Sequence, residues 1–525
     1  MEFREIEVCK QDELADGQMK GFEFEGQKIV VARKDGKFFA ASGSCPHYGA
    51  PLEKGVLSED RLVCPWHHAA FNITNGDLLE PPSRDHLQSY ETSVSEGRVY
   101  VKLPHEIPAS RPPARGKYDA ESDSRTFVIV GAGAAGHSAA QTLRENGFRG
   151  RLIMITHERK LPYDRPNLSK EYLMGEAEPE WMPLRDEDYY KNNDIELWLD
   201  KQVTKVDAGM RKLEFADGDN ISCDSLLLAM GGEPKTLDIP GNELENVMTL
   251  REYSDADDII ERLKEVKRVV LIGSGFIGME TAYSLRKRKI AVTVVSPDQV
   301  PMEKIVGLEI GKMIKLAHQD AGTEFKLGAK PTEFKGSKKV TEVVLDNGET
   351  IETDMVIVAV GVAPKTGMIE GVKLDESGAI EVDDRFQATE NVYATGDIAS
   401  FPYWQTGERI RIEHWRTAEQ QGHTAADNML GKDVPYRSAP FFWTNQVGMQ
   451  LRYIGYCRNW DEIIIDGNLQ RRKFLAFFVK DGQVRGCLGA GWDRDLAAVH
   501  ELMRRNKLPE IYKLREGGID LPTLL

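Results

Sequence analysis

Short apolar runs broken by polar residues fill the first hundred positions. IVVARKDGKFFAAS, from Ile29 to Ser42, predicts two strands that turn at Asp35-Gly36, and GRVYVKL, from Gly97, predicts a closing strand. Together they predict a small all-β domain over 1–103. Residues 104–124, PHEIPASRPPARGKYDAESDS, are rich in proline and charge and poor in apolar residues, which predicts a linker. From 125 the pattern becomes apolar strand, glycine-rich turn, helix, apolar strand, and it does so twice. TFVIV leads into Gly131-Ala-Gly133-Ala-Ala-Gly136, then RLIMITHE. VVLI leads into Gly273-Ser-Gly275-Phe-Ile-Gly278, then AVTVV, 142 residues further on.

Composition narrows the class. A chain of 525 residues exceeds one hydrophobic core, so several domains are expected. The formal charge of −16 argues against a nucleic-acid partner. Six cysteines (9, 45, 64, 223, 457 and 487) form no dense framework and no C-x-x-C, which suits a reducing compartment. The charged start MEFREIEVCKQDEL lacks an apolar signal core, and no run of 18 apolar residues is present. A cytoplasmic protein without a transmembrane segment is the resulting expectation.

The strongest chemical feature is a pair of mixed clusters. Cys45-Pro46-His47 and Cys64-Pro65-Trp66-His67 are separated by sixteen residues. Zinc fingers usually place both cysteines in one cluster and both histidines in the other. Here each cluster supplies one thiolate and one imidazole. That set can hold one iron of a [2Fe–2S] cluster by two Cys and the other by two His. CPHYGAPL and CPWHHAAF resemble the two ligand loops of Rieske ferredoxins in order and spacing, so Cys45, His47, Cys64 and His67 are the expected ligands. High-potential Rieske proteins carry an extra disulfide where this chain has Ala50 and Trp66, and hydroxyls where it has Ala69 and Phe71. The resemblance therefore implies a potential near the low end of the range, roughly −150 mV. His68 stands where the family usually has Gly, and its role is open.

Both glycine turns carry the dinucleotide fingerprint. The first glycine makes the tight turn, the second lets the backbone approach a pyrophosphate, and the third permits helix–strand packing. Glu158, 22 residues after Gly136, is the candidate ribose acceptor of the first site. The second site has Ser296 at the strand end and Asp298 nearby. With no basic residue in SPDQVPME, NADH is the expected nicotinamide; Lys304 and neutral Ser296 leave NADPH open.

An FAD motif followed by an NAD motif resembles the two-dinucleotide flavoprotein reductases. Pro162-Tyr163-Asp164-Arg165-Pro166-Asn-Leu-Ser169-Lys170 resembles a segment of the ferredoxin reductases of aromatic-ring dioxygenase systems and of apoptosis-inducing-factor-like proteins. That resemblance covers the chain from the Rieske loops to about residue 500. It implies Arg165 at the FAD pyrophosphate, Lys170 near flavin N5 and Glu280 paired with that Lys near the nicotinamide. Thr395-Gly396-Asp397 matches a second FAD motif, with Asp397 on the ribityl chain. The helix is expected to continue from there through Glu413-His414-Trp415-Arg416. Trp415 is placed against the flavin ring and His414 beside the nicotinamide. Trp443-Thr444-Asn445-Gln446 resembles a stretch reaching the flavin from the C-terminal domain.

The implied fold is multidomain. An all-β Rieske domain precedes two α/β Rossmann-type, glutathione-reductase-like domains and an α+β C-terminal domain at 441–525. FAD binding is assigned to 125–250 and 372–440, and NAD(P) binding to 251–371. Disulfide reductases of this fold keep a redox Cys pair beside the flavin, and this chain has none. The expected activity is therefore FAD-dependent NAD(P)H oxidation, with electrons passing to the chain's own Rieske cluster and on to a one-electron acceptor protein (an oxygenase, ferredoxin or cytochrome). The linker is expected to let the Rieske domain swing. Two alternatives stand: an NADH-sensing interaction protein of the apoptosis-inducing-factor-like type, and a reductase acting on a small substrate at the flavin. A homodimer is compatible with either.

Overall fold

The computed structural model describes residues 3–525. The chain forms two compact units. One comprises the residues through Ala114 together with Arg437–Trp443 and Arg452–Leu525, and the other comprises Arg115–Tyr436 and Thr444–Leu451.

In the first unit, the predicted hairpin forms as Gln27–Lys34 paired with Lys37–Ser42, and the closing strand as Arg98–Pro104. They belong to a six-stranded antiparallel sheet. A second sheet of four short strands runs from Val56–Ser58 to Leu78–Glu80. Cys45, Ala50, Cys64, Ala69 and Phe71 share one core.

The C-terminal part of this unit pairs Gln483–Ala490 with Lys473–Lys480, and Lys473–Lys480 with Glu462–Asn468, and carries the helix Asp493–Arg504. Val56, Val63 and Ala70 of the small sheet pack into the same core as Phe441, Ile454, Leu496 and Leu502. The N-terminal domain is therefore seated on the C-terminal segment through a shared apolar core. Residues 104–124 are also tied down at both ends. Arg111 bridges to His86 by backbone and to Asp77 by side chain. Further on, the Tyr118 N–H donates to Asp194 at 3.0 Å and the Asp119 N–H to the Arg149 carbonyl at 2.8 Å.

The second unit contains two largely parallel sheets. The first runs Ile195–Trp198, Arg151–Ile155, Thr126–Val130, Ser225–Leu228, Val392–Ala394, with Gln387–Thr389 added antiparallel. The second runs Val247–Met248, Met355–Val358, Arg268–Ile272, Ala291–Ser296, Thr323–Leu327. In each, the strand before a glycine turn is central, and the next strand on its far side belongs to a later crossover. Such a reversal opens a crevice at the strands' carboxyl ends, where ligands bind in sheets of this kind. Strand Val247–Met248 already belongs to the second sheet, a few residues before the expected start at 251.

Thr395-Gly396-Asp397 leads only into a single 3₁₀ turn, Gly396–Ile398. A hairpin of Ala399–Pro402 and Arg409–Ile410 intervenes, and the helix begins at Trp415. That helix, Trp415–Met429, crosses Ala134–Glu145 closely. A Cβ on Gly422 would fall 2.1 Å from the Ala135 carbonyl oxygen. Gly422→Ala is expected to cost about 1–3 kcal/mol through overpacking, read as a lower Tm. An unchanged Tm would show that the helices separate freely.

Candidate functional site

Two hairpin-like loops present the four candidate ligands of the first unit. The Cys45 N–H bonds the Ala50 carbonyl at 2.9 Å, and the Cys64 N–H bonds the Ala69 carbonyl at 2.8 Å, so each loop is closed at its base. His47 Nδ1 and His67 Nδ1 face each other at 3.1 Å. The two cysteine sulfurs lie within hydrogen-bonding reach. The N–H groups of His47 and Tyr48 point at the Cys45 sulfur, and those of Trp66 and His67 at the Cys64 sulfur. This arrangement fits a binuclear cluster, with a sulfur pair on one side, an imidazole pair on the other and backbone donors for the sulfur charge.

The electrostatics agree. Its hydrogen bond to Cys64, together with burial, pushes the Cys45 thiol well up. For Cys64, burial acts upward but is outweighed by hydrogen bonds from Cys45, Trp66 and His67, so it is the readier thiolate. Burial, with repulsion from Arg84, lowers His47 to about 3, leaving its ring neutral with a lone pair for a metal. Trp443 lies over the imidazole pair, its ring centroid 4.4 Å from that of His67 and 6.1 Å from that of His47. His68 is fully buried with φ of 57°, which suits a position where Gly is expected. Its ring packs on Phe441, and its Nδ1 is 3.0 Å from His500 Nδ1.

In the second unit both glycine turns have the geometry their sequence implies. Gly131 and Gly273 sit at φ of 106° and 110°, where L side chains are strained. A Cβ on Gly136 would lie 1.9 Å from the Gly131 carbonyl, and one on Gly278 2.3 Å from the Gly273 carbonyl. Beside Gly133 and Gly275 there is nothing within 4 Å. These two face open space at the starts of Ala134–Glu145 and Phe276–Lys287, which is the cradle a pyrophosphate needs. Both dinucleotides therefore fit.

Near the first turn, Arg165 bonds Glu158 at 2.8 Å, and Glu158 accepts from the Tyr163 hydroxyl at 2.7 Å. Burial works against the Arg165 charge, but Tyr163 and Glu158 more than offset it, so the guanidinium stays protonated. Glu158, Arg165 and Arg251 line a polar cavity of about 200 Å³. Asp397 bonds Arg251 at 2.7 Å. Trp415 opens its helix, and burial lowers His414 before it to about 4. At the second turn, Ser296 Oγ lies 2.8 Å from Ser274 Oγ, and Asp298 is 3.6 Å from Lys304.

Lys170 and Glu280 form a buried ion pair at 2.9 Å. The Ser169 hydroxyl donates to one Glu280 oxygen and the Thr444 hydroxyl to the other, both at 2.6 Å. Behind Thr444, Gln446 Nε2 donates to its hydroxyl at 2.8 Å, and Gln446 Oε1 meets His318 Nε2 at 2.9 Å. Burial lowers His318 to about 4, so it donates as a neutral ring. Sequence reasoning paired Lys170 with Glu280, which the structure brings together, but did not single out Thr444 or Arg251. Thr444 sat inside the quoted WTNQ motif, whereas single arginines in ordinary strands and loops carry no local signal.

Residues 125–422 match the pyridine nucleotide-disulphide oxidoreductase family, 4–91 the Rieske [2Fe–2S] domain, and 441–525 the reductase C-terminal domain. Apoptosis-inducing factor 3 of Homo sapiens is 36% identical, over 99% of this chain and 88% of that protein. The ferredoxin–NAD(+) reductase subunit of the benzene 1,2-dioxygenase system of Pseudomonas putida is 29% identical, over 74% of this chain and 95% of its own length. The ferredoxin reductase of the CYP199A2 system from Rhodopseudomonas palustris superposes with a TM-score of 0.73 at 31% identity, over 76% of this chain and 99% of that one.

Thr444→Val leaves one oxygen of the buried Glu280 without its donor, a loss of about 1–3 kcal/mol. Bleaching of the flavin by NADH in stopped flow is expected to slow, with Thr444→Ser close to wild type. Equal rates in all three would show that the hydroxyl does not hold Glu280 for the reaction.

Proposed function

The chain belongs to the pyridine nucleotide-disulphide oxidoreductase family and joins a Rieske domain and a reductase C-terminal domain to it; from that premise we propose that it oxidises NADH at FAD and passes the electrons singly to its own [2Fe–2S] cluster, from which a separate acceptor protein draws them. When bound, FAD supplies the exchange between two-electron and one-electron transfer, and the cluster supplies single-electron transfer. One observation carries the reading. Trp443 packs on the ligand candidate His67, and the next residue, Thr444, bonds the Glu280 carboxylate.

The protein's part is position and charge. Gly131, Gly133 and Gly136 receive the FAD pyrophosphate, with Arg165 beside it, Glu158 at the ribose and Asp397 at the ribityl chain. Trp415 would bound the flavin ring, whereas Trp443, expected there from sequence, packs on the ligand candidate His67 instead. Lys170 would lie beside the flavin ring and offset the negative charge that reduction brings, with Glu280 holding that Lys and bordering the nicotinamide. Gly273, Gly275 and Gly278 receive the NADH pyrophosphate, Ser296 and Asp298 the ribose, and His414 borders the nicotinamide. A ferredoxin, a cytochrome or an oxygenase component is the expected class of acceptor, in line with the redox systems named for the similar reductases.

The decisive test is anaerobic. NADH is added to the purified protein while flavin absorbance and the cluster's EPR spectrum are followed. Flavin bleaching with a Rieske signal emerging within the turnover time is the expected result. Bleaching with a persistently oxidised cluster would overturn the internal transfer and favour an NADH-responsive interaction protein. For nicotinamide choice, Ser296→Glu is expected to raise the NADH/NADPH ratio of kcat/KM, because a carboxylate accepts from the ribose hydroxyls and repels a 2′-phosphate. An unchanged ratio would show that the position does not decide it.

A further inference from the structure

Arg452 is a cation buried on the strand Met449–Gly455 of the C-terminal domain, its side chain 4% exposed. A charge in such a place is costly unless it is well paired, so its partners say what it is for. Its Nε donates to the Trp66 carbonyl, in the loop between the ligand candidates Cys64 and His67. Its Nη1 meets Asp493 at 2.6 Å, and that carboxylate is 38% exposed. Water therefore screens the Asp493 charge more than that of the buried guanidinium.

We propose that Arg452 sets the reduction potential of the Rieske cluster from the C-terminal domain, acting both as a positive charge beside the Cys64 loop and as the donor that fixes that loop at Trp66. Two ferric ions, two sulfides and two thiolates sum to zero charge, with neutral imidazoles completing the set. One added electron leaves a single negative charge and requires no proton. A nearby cation stabilises the reduced form and raises the potential. The loop has no hydroxyl at Ala69 or Phe71, and Arg452 supplies from another domain part of what those hydroxyls supply elsewhere. The cluster's potential is then coupled to the seating of the two domains, since the cation belongs to one and the ligands to the other. The inference rests on the four ligands holding the cluster, and not on the route by which electrons arrive.

The test is a dithionite titration of the full-length holoprotein with redox mediators, followed by EPR. Arg452→Gln is expected to weaken cluster reduction about tenfold, which for a one-electron couple is a fall of about 59 mV. Asp493→Asn removes the opposing charge and is expected to shift the potential the other way, by less. Arg452→Lys keeps the charge and should recover most of the wild-type value. His500→Gln disturbs another contact of the same interface, to His68, without changing formal charge, and should leave the potential in place. Opposite signs for the Arg452→Gln and Asp493→Asn shifts separate a field effect from loosened packing. Equal potentials in wild type and Arg452→Gln, or shifts of the same sign for both charge variants, would overturn the proposal. If Arg452→Gln does not retain the cluster, the sign of the Asp493→Asn shift decides alone. A wild-type protein without a Rieske signal would overturn the ligand assignment itself.

Discussion

A buried carboxylate must be met by donors, and Glu280 is met by three: Lys170, Ser169 and Thr444. They come from separated stretches of chain. Ser169 and Lys170 end the segment after the first nucleotide strand pair, Glu280 lies on the helix after the second glycine turn, and Thr444 lies far downstream. Leaving any oxygen of that carboxylate bare in a dry site costs more than an ordinary surface contact returns. Satisfying it therefore brings these segments into one arrangement around the charged pair.

Much of this was legible because its causes are local. A positive φ at Gly131 and Gly273, and the absence of room for a Cβ at Gly136 and Gly278, dictate glycine at fixed spacing. The two ligand loops are short hairpin ends, so their residues are close in sequence as well as in space. The Asp35-Gly36 turn is visible for the same reason. Where sequence reading failed, the cause was distant. Thr395-Gly396-Asp397 gave no sign of the hairpin that precedes Trp415, because that hairpin is only two pairs of residues long. Residues 104–124 have the composition of a linker and contain the boundary between the two units, but their fastenings by Arg111 and Tyr118 use partners remote in sequence. Arg452 was invisible as a lone basic residue in an apolar strand, since its meaning lies in a carbonyl 386 positions away.

The seating of the N-terminal domain has a similar origin. Its second sheet has strands of only three residues, too short to bury an apolar face alone. Val56, Val63 and Ala70 complete their burial against Leu496, Val499 and Leu502. The polar contacts around that core, Arg61 to the buried Glu501 and His68 to His500, add register to a surface whose apolar packing is not directional. A Gly at position 68 would have accommodated the loop's φ equally well, so the imidazole is there for its partner.

Strand periodicity lets one short segment serve two sites. In an extended chain successive side chains point to opposite faces. Along Phe441–Gln446, the odd positions Phe441 and Trp443 pack on His68 and His67, while the even positions Thr444 and Gln446 bond Glu280 and His318. The alternation gives one face to the aromatic rings beside the cluster ligands and the other to the polar groups that hold the carboxylate. A one-residue slip in this strand would exchange the faces, placing a hydroxyl against the imidazole pair and an indole against Glu280. Both sets of contacts would be lost together, so the register of six residues is a single constraint on both.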